Sequence, residues 1–328
     1  MRAPGLADKV AFLRGLCGPG DEAIETHFAW IVLVGDRAYK LRKPVRRAPM
    51  DYGSLAARRA GSEAEVRLNR RLAPDVYLGL RPLVVDAAGR LQIAGEGTVV
   101  DWLVEMQRLD RTRFLDAALA GGAPDEQALR RVAERLADFY AAAEPAISQP
   151  EEYLERLRER ARSNHEVLDT LDAGRAALAY ARHCAYLGAC RALLESRVTG
   201  GCIVEAHGDL RPEHILLAVP VAVIDCLEFD RDLRILDRAE ELSFLELECA
   251  RLGAAGTGRW LREACLQQLG DAAPASLLAF YRSLRASNRA RLYTLRADEP
   301  DGHSPDEWRA RAGEYLATAL VTAATAMP

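Results

Sequence analysis

The first third of the chain carries the short alternating patterns of β-strands. In THFAWIVLVGDRAYKLRKP (26–44) two such runs meet at Gly35-Asp36. That is a hairpin signal, and the order Gly-Asp suits a type II′ turn better than type I′. SLAARRAGSEAEVRLNRRLAP (54–74) sets Leu55, Val66, Leu68 and Leu72 among many charges and predicts a helix, with Pro74 marking its end. LRPLVV, then RLQIAG beyond an Ala-Ala-Gly turn, then GTVVDWLVEM predict three more strands. The order strand-strand-helix-strand-strand-strand describes a mixed antiparallel unit, not a βαβ repeat.

Beyond about Leu109 the period changes. EQALRRVAERLADFYAAAE places Leu129, Val132, Leu136 and Tyr140 on one helical stripe. Further helices are predicted over 151–164, 174–197, 237–253, 275–295 and 304–326, with Asp237 as an N-cap. One β-like patch interrupts them: the residues before His207, then HILL and VAVID. The expected class is α+β, with a small sheet lobe over 1–107 and a larger helical lobe over 108–328.

Composition adds only exclusions. The 328 residues suffice for two lobes with a real core. At 49% hydrophobic, 28% charged and a net charge of −4, the chain lacks the basic surface of a nucleic-acid binder. Seven cysteines form no CxxC and an odd number cannot all pair, so they read as reduced thiols. Charge breaks the N-terminal segment before a signal-type apolar core forms, and no run is long enough to span a membrane. These features predict a cytoplasmic protein with no nucleic-acid or membrane partner; oligomeric state is unreadable.

The chemistry concentrates in VEAHGDLRPEHILLAVPVAVIDCLEFD (204–230). A loop carrying Asp209 precedes a predicted hairpin, and Asp225 ends its second strand. Two neighbouring carboxylates repel unless a cation or proton sits between them. Magnesium takes one or two carboxylates plus phosphate oxygens, and an aspartate can accept a proton from a substrate hydroxyl. Together these are the parts that phosphoryl transfer needs.

The run HGDL, a hairpin, then Ile-Asp with an acidic follow-up resembles the aminoglycoside phosphotransferase family of kinase-like enzymes. It is similar above all to an uncharacterised bacterial branch. The segments ETHFAWIVLVGDRAYKLRKP, VRLNRRLAPDVYLGL and VDWLVEMQRL extend the likeness over roughly residues 20 to 250. The resemblance implies a protein-kinase-like bilobal fold and ATP-dependent transfer of a phosphoryl group to the hydroxyl of a small molecule. It implies Asp209 as catalytic base, Asp225 as magnesium ligand, and Lys40 on the ATP phosphates with Glu65 orienting it. The backbone of Glu105, Met106 and Gln107 would meet adenine.

Two departures from that pattern stand out. His214 occupies the place of the asparagine that usually follows the base by five residues as a second metal ligand; magnesium prefers oxygen. Glu213 or Glu228 could substitute, or manganese could be the metal. A glycine-rich phosphate loop is missing, which leaves Thr26, His27 and nearby amides of GDEAIETHFAW to cover the phosphates. Some members carry an added P-loop domain; this chain has no GxxxxGK[ST].

Each residue also has a plain reading. Lys40 and Glu65 could be solvated charges, with Glu63 an alternative partner; Glu65 is preferred because Leu68 and Leu72 follow it at i+3 and i+7. His207 would bond backbone to hold its turn. Over 225–248, nine acidic residues face three arginines, by default a solvated face and otherwise a cation-binding acceptor pocket. Two rival functions remain. One is a kinase-like binder with little or no catalysis. The other is a metal-dependent hydrolase using His207, Asp209, His214 and Asp225, with His165, His183 and His303 far along the chain.

Overall fold

The computed structural model describes residues 4–47, 50–122, 124–298 and 304–326; His303 lies outside them. In chain order the elements are α1 (Leu6–Arg14), β1 (Glu22–Glu25), β2 (Ala29–Val34), β3 (Arg37–Arg42), β4 (Arg46–Arg47), β5 (Met50–Asp51), α2 (Leu55–Asn69), β6 (Tyr77–Val85), β7 (Leu91–Ile93) and β8 (Thr98–Gln107). After them come α3 (Leu115–Ala120), α4 (Glu126–Ala141), α5 (Pro150–Ala189), α6 (Arg191–Thr199), β9 (Ile203–Glu205), β10 (Ile215–Leu216), β11 (Ala222–Val223), β12 (Ile235–Asp237), α7 (Arg238–Arg251), α8 (Ala255–Gln268), α9 (Ala275–Ala297) and α10 (Pro305–Ala326).

The chain divides into two compact units. The first runs to Ala117 and takes in His214–Asp232; the second holds Ala118–Glu213 and the chain from Leu233 onward. By its contacts the segment 214–232 groups with the sheet.

In the first unit the sheet order is β1-β2-β3-β8-β6-β7, and every pairing is antiparallel. Gly35 turns β2 into β3 with a positive φ of 57°, while Asp36 keeps φ negative, as a type II′ turn requires. Successive strand residues point to opposite faces. Leu103 and Val104 are nonetheless both fully buried, so the centre of the sheet is covered on both sides. Leu103 joins Val10 and Leu13 of α1, Val32, Leu41 and Leu83. Val104 joins Val66, Ala73, Val76, Tyr77, Phe114, Leu216 and Ala222, which places the β10–β11 hairpin on the α2 side.

In the second unit α5, α7, α9 and α10 share a core around Leu168, Phe244, Leu247, Tyr315 and Leu316. β9 pairs antiparallel with β12, Glu205 opposite Ile235 and Ile203 opposite Asp237. The helices predicted over 151–164 and 174–197 are differently cut: α5 runs on to Ala189, leaving helical geometry at Asp172 (φ −159°, ψ 95°), and α6 follows it. Among the described residues no helix is long and apolar enough to cross a membrane.

From Asp237 onward the acidic stretch is not a solvated face, whereas Asp225 and Asp232 are exposed. Asp237, Glu240 and Glu241 are 0% exposed, Glu246 4% and Glu248 7%. Each meets a partner from another helix: Arg197 on Asp237 (2.7 Å), Arg160 on Glu240 (3.0 Å), Tyr140 on Glu241 (2.7 Å), Arg262 on Glu246 (2.6 Å) and Tyr315 on Glu248 (2.8 Å). Sequence shows a run of like charge; only the packing supplies the compensating arginines and tyrosines. Asp237 caps α7 by accepting from the Ala239 amide (2.8 Å) and also accepts from the Tyr281 hydroxyl (2.9 Å). Asp237→Ala removes the α7 cap and two of the bonds to the buried Arg197, which keeps Asp271 as its partner, so it should cost about 2–3 kcal/mol in urea unfolding.

Candidate active site

Lys40 lies opposite Val104 across the β3–β8 ladder and therefore shares its face, the one covered by α2. Arg42, two residues on, shares it too. Both reach Glu65, which is 1% exposed. Lys40 Nζ lies 2.7 Å from Glu65 Oε1, and Arg42 Nη2 donates to Oε2. Glu63 instead faces outward and pairs with Arg59.

Helix spacing sets what else α2 does. Ser62, Glu65 and Asn69 fall on one face at i, i+3 and i+7. The Ser62 hydroxyl accepts from Arg42 Nε (3.2 Å), and Asn69 Oδ1 accepts the Cys226 amide (2.9 Å). One helix face thus holds both Lys40 and the backbone beside Asp225. The Asp225 amide donates to the Tyr77 hydroxyl (3.2 Å), and the residue sits at positive φ, 62°. Non-glycine residues rarely adopt that conformation, and such outliers concentrate at functional sites.

Around Asp225 the groups form a charged cluster. Its carboxylate lies 3.7 Å from Lys40 Nζ and 3.6 Å from His214 Nε2. The Asp225 side chain is 54% exposed, whereas Lys40, Glu65 and His214 are 15%, 2% and 7% exposed. Burial works against the Lys40 ammonium, but Glu65, Asp225 and Glu228 outweigh it and raise its pKa. Lys40 is therefore a permanent cation at neutral pH.

Glu228 is already engaged. It accepts from Arg42 Nη1 (2.6 Å) and from the Tyr52 hydroxyl (3.0 Å). Glu213 is likewise paired, with Arg211. Both carboxylates thus already hold a cationic partner. Thr26 is also committed: its amide donates to the Ala29 carbonyl (2.8 Å), as does its hydroxyl (2.9 Å), which in turn accepts the Ala29 amide (3.0 Å). His27 stands edge-on to Phe28 in the same turn.

Glu105, Met106 and Gln107 close the sheet's central strand. Glu105 and Met106 pair with β3 on one side and β6 on the other, and the Gln107 amide donates to the Val76 carbonyl (2.9 Å). The Glu105 side chain binds Arg81 (2.7 Å). The Gln107 amide is thus spent within the sheet.

Asp209 belongs to the second unit. Its loop leaves β9, and β12, paired with β9, leads straight into α7, so the first turns of α7 lie beside that loop. Glu241 accepts the His207 and Gly208 amides and the Tyr140 hydroxyl. Arg285 donates to the Gly208 carbonyl (2.8 Å), and Gly208 takes a positive φ of 93°. The His207 ring accepts the Asp209 amide (3.3 Å), a turn-holding bond. Arg211 Nε stands 3.0 Å from Asp209 Oδ2. Burial raises the Glu241 pKa against the bonds that favour its charge. Glu241, Arg285 and Arg211 escaped sequence reading; the only signal for Glu241 was its place one turn after a cap.

Among the described residues no three His, Cys, Asp or Glu side chains gather as a metal-binding group.

The fold has known counterparts. An aminoglycoside 2′-phosphotransferase-IIIa solved with GDP matches at a TM-score of 0.52, with 16% identity over 95% of this chain and 96% of that one. A choline/ethanolamine kinase family protein from Mesorhizobium loti matches at 0.52, with 13% identity over 97% and 99%. Choline kinase from Cryptosporidium parvum Iowa II matches at 0.53, with 11% identity over 96% and 95%. The chain has the fold of the aminoglycoside phosphotransferases and choline/ethanolamine kinases. At such identities the likeness speaks for this kinase-like α+β fold alone. In sequence, the uncharacterized protein Rv2004c of Mycobacterium tuberculosis is 32% identical over 294 residues, 83% of this chain. Mb2027c of Mycobacterium bovis gives the same figures. The chain spans 54% of the length of these relatives. No family model matches the chain.

The Glu228 carboxyl would be raised by burial, but Arg42 and Lys40 hold it below the usual glutamate range. A depressed folded value means the stabilisation is present above the ordinary glutamate pKa and is lost as pH falls through the folded one. Urea unfolding between pH 3 and 6 should therefore show an acid loss that Glu228→Gln reduces. An unchanged slope in the variant would contradict the pairing.

Proposed function

We propose that the protein is a phosphotransferase that moves the γ-phosphoryl group of ATP to a hydroxyl of a small molecule. The observation that carries the reading is the buried Glu65 holding Lys40 beside the half-exposed, conformationally constrained Asp225. A lysine so fixed presents a permanent charge to a polyphosphate.

Asp225 suits magnesium: it is a hard, half-exposed carboxylate, and this ion keeps waters and phosphate oxygens for its other positions. When bound, the ion would neutralise charge on the polyphosphate. His214, behind Asp225, would orient that carboxylate more readily than replace an oxygen ligand. The sheet and α2 hold Lys40 in place, and the Glu241–Arg285 clamp fixes the Asp209 loop from both its amide and carbonyl sides. In the transfer, the acceptor oxygen forms a bond to the γ-phosphorus as the bond to the β,γ-bridging oxygen breaks. Asp209 takes the hydroxyl proton, and ADP leaves.

A second reading, a kinase-like nucleotide binder without turnover, draws on the commitment of Thr26 to its own turn and on His214 at the second ligand position. The two part in one experiment. ATP and GTP are offered separately with magnesium or manganese, following both melting temperature and nucleoside diphosphate release in the presence of a mixed set of alcohols. A phosphotransferase is stabilised by mass action and releases diphosphate. Asp209→Asn should keep the thermal shift and lower turnover about 10²–10⁴-fold. A wild type that is stabilised yet releases none favours the binder, and one not stabilised by either nucleotide ends both readings.

A further inference from the structure

Helix α9 carries Arg282, Arg285, Arg289 and Arg296 along one stripe, at helical spacings of three, four and seven. The first two are matched by carboxylates of α7: Arg282 lies 2.8 Å from Glu246, and Arg285 3.8 Å from Glu240. The matching stops at Arg289. Glu248, the next acid along α7, takes the Tyr315 hydroxyl at both its oxygens (2.8 and 2.9 Å). Among the described residues no carboxylate lies within ion-pair distance of Arg289.

Arg289 is nevertheless held in place. Its Nη2 donates to the Tyr293 hydroxyl (2.8 Å), and its guanidinium stacks over the Tyr293 ring at 5.0 Å. Tyr293 in turn stacks between Tyr315 and Trp308. The Arg289 Nε makes no hydrogen bond. A fixed, half-buried fork with donors to spare is the geometry that oxyanions select. Arg285, one turn earlier on the stripe, donates to the Gly208 carbonyl (2.8 Å), which sets Arg289 one helical turn from the Asp209 loop; burial opposes the Arg289 cation, and Asp209 most strongly, then Tyr293 and Glu248, sustain it. The acids nearby are all engaged, Glu213 by Arg211, Glu240 by Arg160 and Glu241 by the 207–208 amides. A cationic acceptor would find no uncommitted carboxylate among them.

We propose that the acceptor carries an oxyanion, a carboxylate or a phosphate, and that Arg289 binds it next to the hydroxyl addressed by Asp209. The proposal rests on the phosphotransferase reading for the word acceptor; the oxyanion site itself does not. A hydroxy acid or a phosphorylated polyol fits such a site, whereas a polyamine sugar or a quaternary ammonium alcohol does not.

The test uses the full chain and four probes: D-glycerate, sn-glycerol 3-phosphate, choline and kanamycin. Calorimetric titration without nucleotide reads binding, and diphosphate release with ATP and magnesium reads transfer. At least one of the two anions should bind the wild type, and the pattern between them tells carboxylate from phosphate. Arg289→Leu should weaken that binding about 10- to 100-fold, the loss expected for a charged hydrogen bond, and Arg289→Lys should recover part of it. Circular dichroism of both variants checks the fold, and the lysine variant keeps the test valid if the leucine variant unfolds. Anion binding that depends on Arg289 but brings no transfer leaves the oxyanion site standing and removes the phosphotransferase reading. The proposal is overturned if neither anion binds, if the anions bind the Leu and wild-type proteins alike, or if choline or kanamycin binds in their place. It is equally overturned if Arg289→Leu lowers kcat with the acceptor KM unchanged, because the arginine would then act only on Asp209.

Discussion

A single buried carboxylate organises the sheet unit. Glu65 is a charge almost wholly removed from water, a state tolerated only when both oxygens are satisfied. Lys40 takes one oxygen and Arg42 the other, and the alternation of β3 puts both cations on the face that α2 covers. Arg42 passes the connection on to Glu228, and Lys40 passes it on to Asp225. Asn69, one helical turn after Glu65, fixes the backbone next to Asp225. Strand, helix and hairpin are thus tied through one side chain, and a shift in any of them is felt at the half-exposed aspartate.

The helical unit solves the same problem several times over. Its acids are concentrated on α7 and its arginines on α5, α8 and α9, so packing the helices together pairs them. Two of the α7 acids depart from this: Glu248 takes a tyrosine hydroxyl, and Glu241 spends its oxygens on two backbone amides and a tyrosine hydroxyl. That choice fixes the turn ahead of Asp209. Arg289 is one of the cations on α9 that this pairing leaves over among the described residues, and like Glu241 it lies beside the Asp209 loop.

Much of this was legible in the sequence, for identifiable reasons. The Gly35-Asp36 hairpin, the helix of α2 and the strands around it follow from period and turn chemistry, which are local. Glu65 could be preferred over Glu63 because the apolar residues after it fix the buried face. What stayed hidden depends on partners distant in the chain. EAIE, the β1 strand, offers too short a pattern to separate from a loop. The acids of α7 look like a solvated run until Arg160, Arg197 and Arg262 arrive from other helices. The commitment of Glu228 to Arg42 across 186 residues has no local signal at all.

The account depends most on Glu65 as the group that readies Lys40 for a polyphosphate. Titration calorimetry of ATP with magnesium, on the wild type and on Glu65→Gln, measures this directly. Binding to the wild type that requires magnesium and weakens about tenfold or more in the variant, in line with the loss of a charged hydrogen bond, is the predicted result. Equal affinity in the two proteins, or none in the wild type, would contradict it.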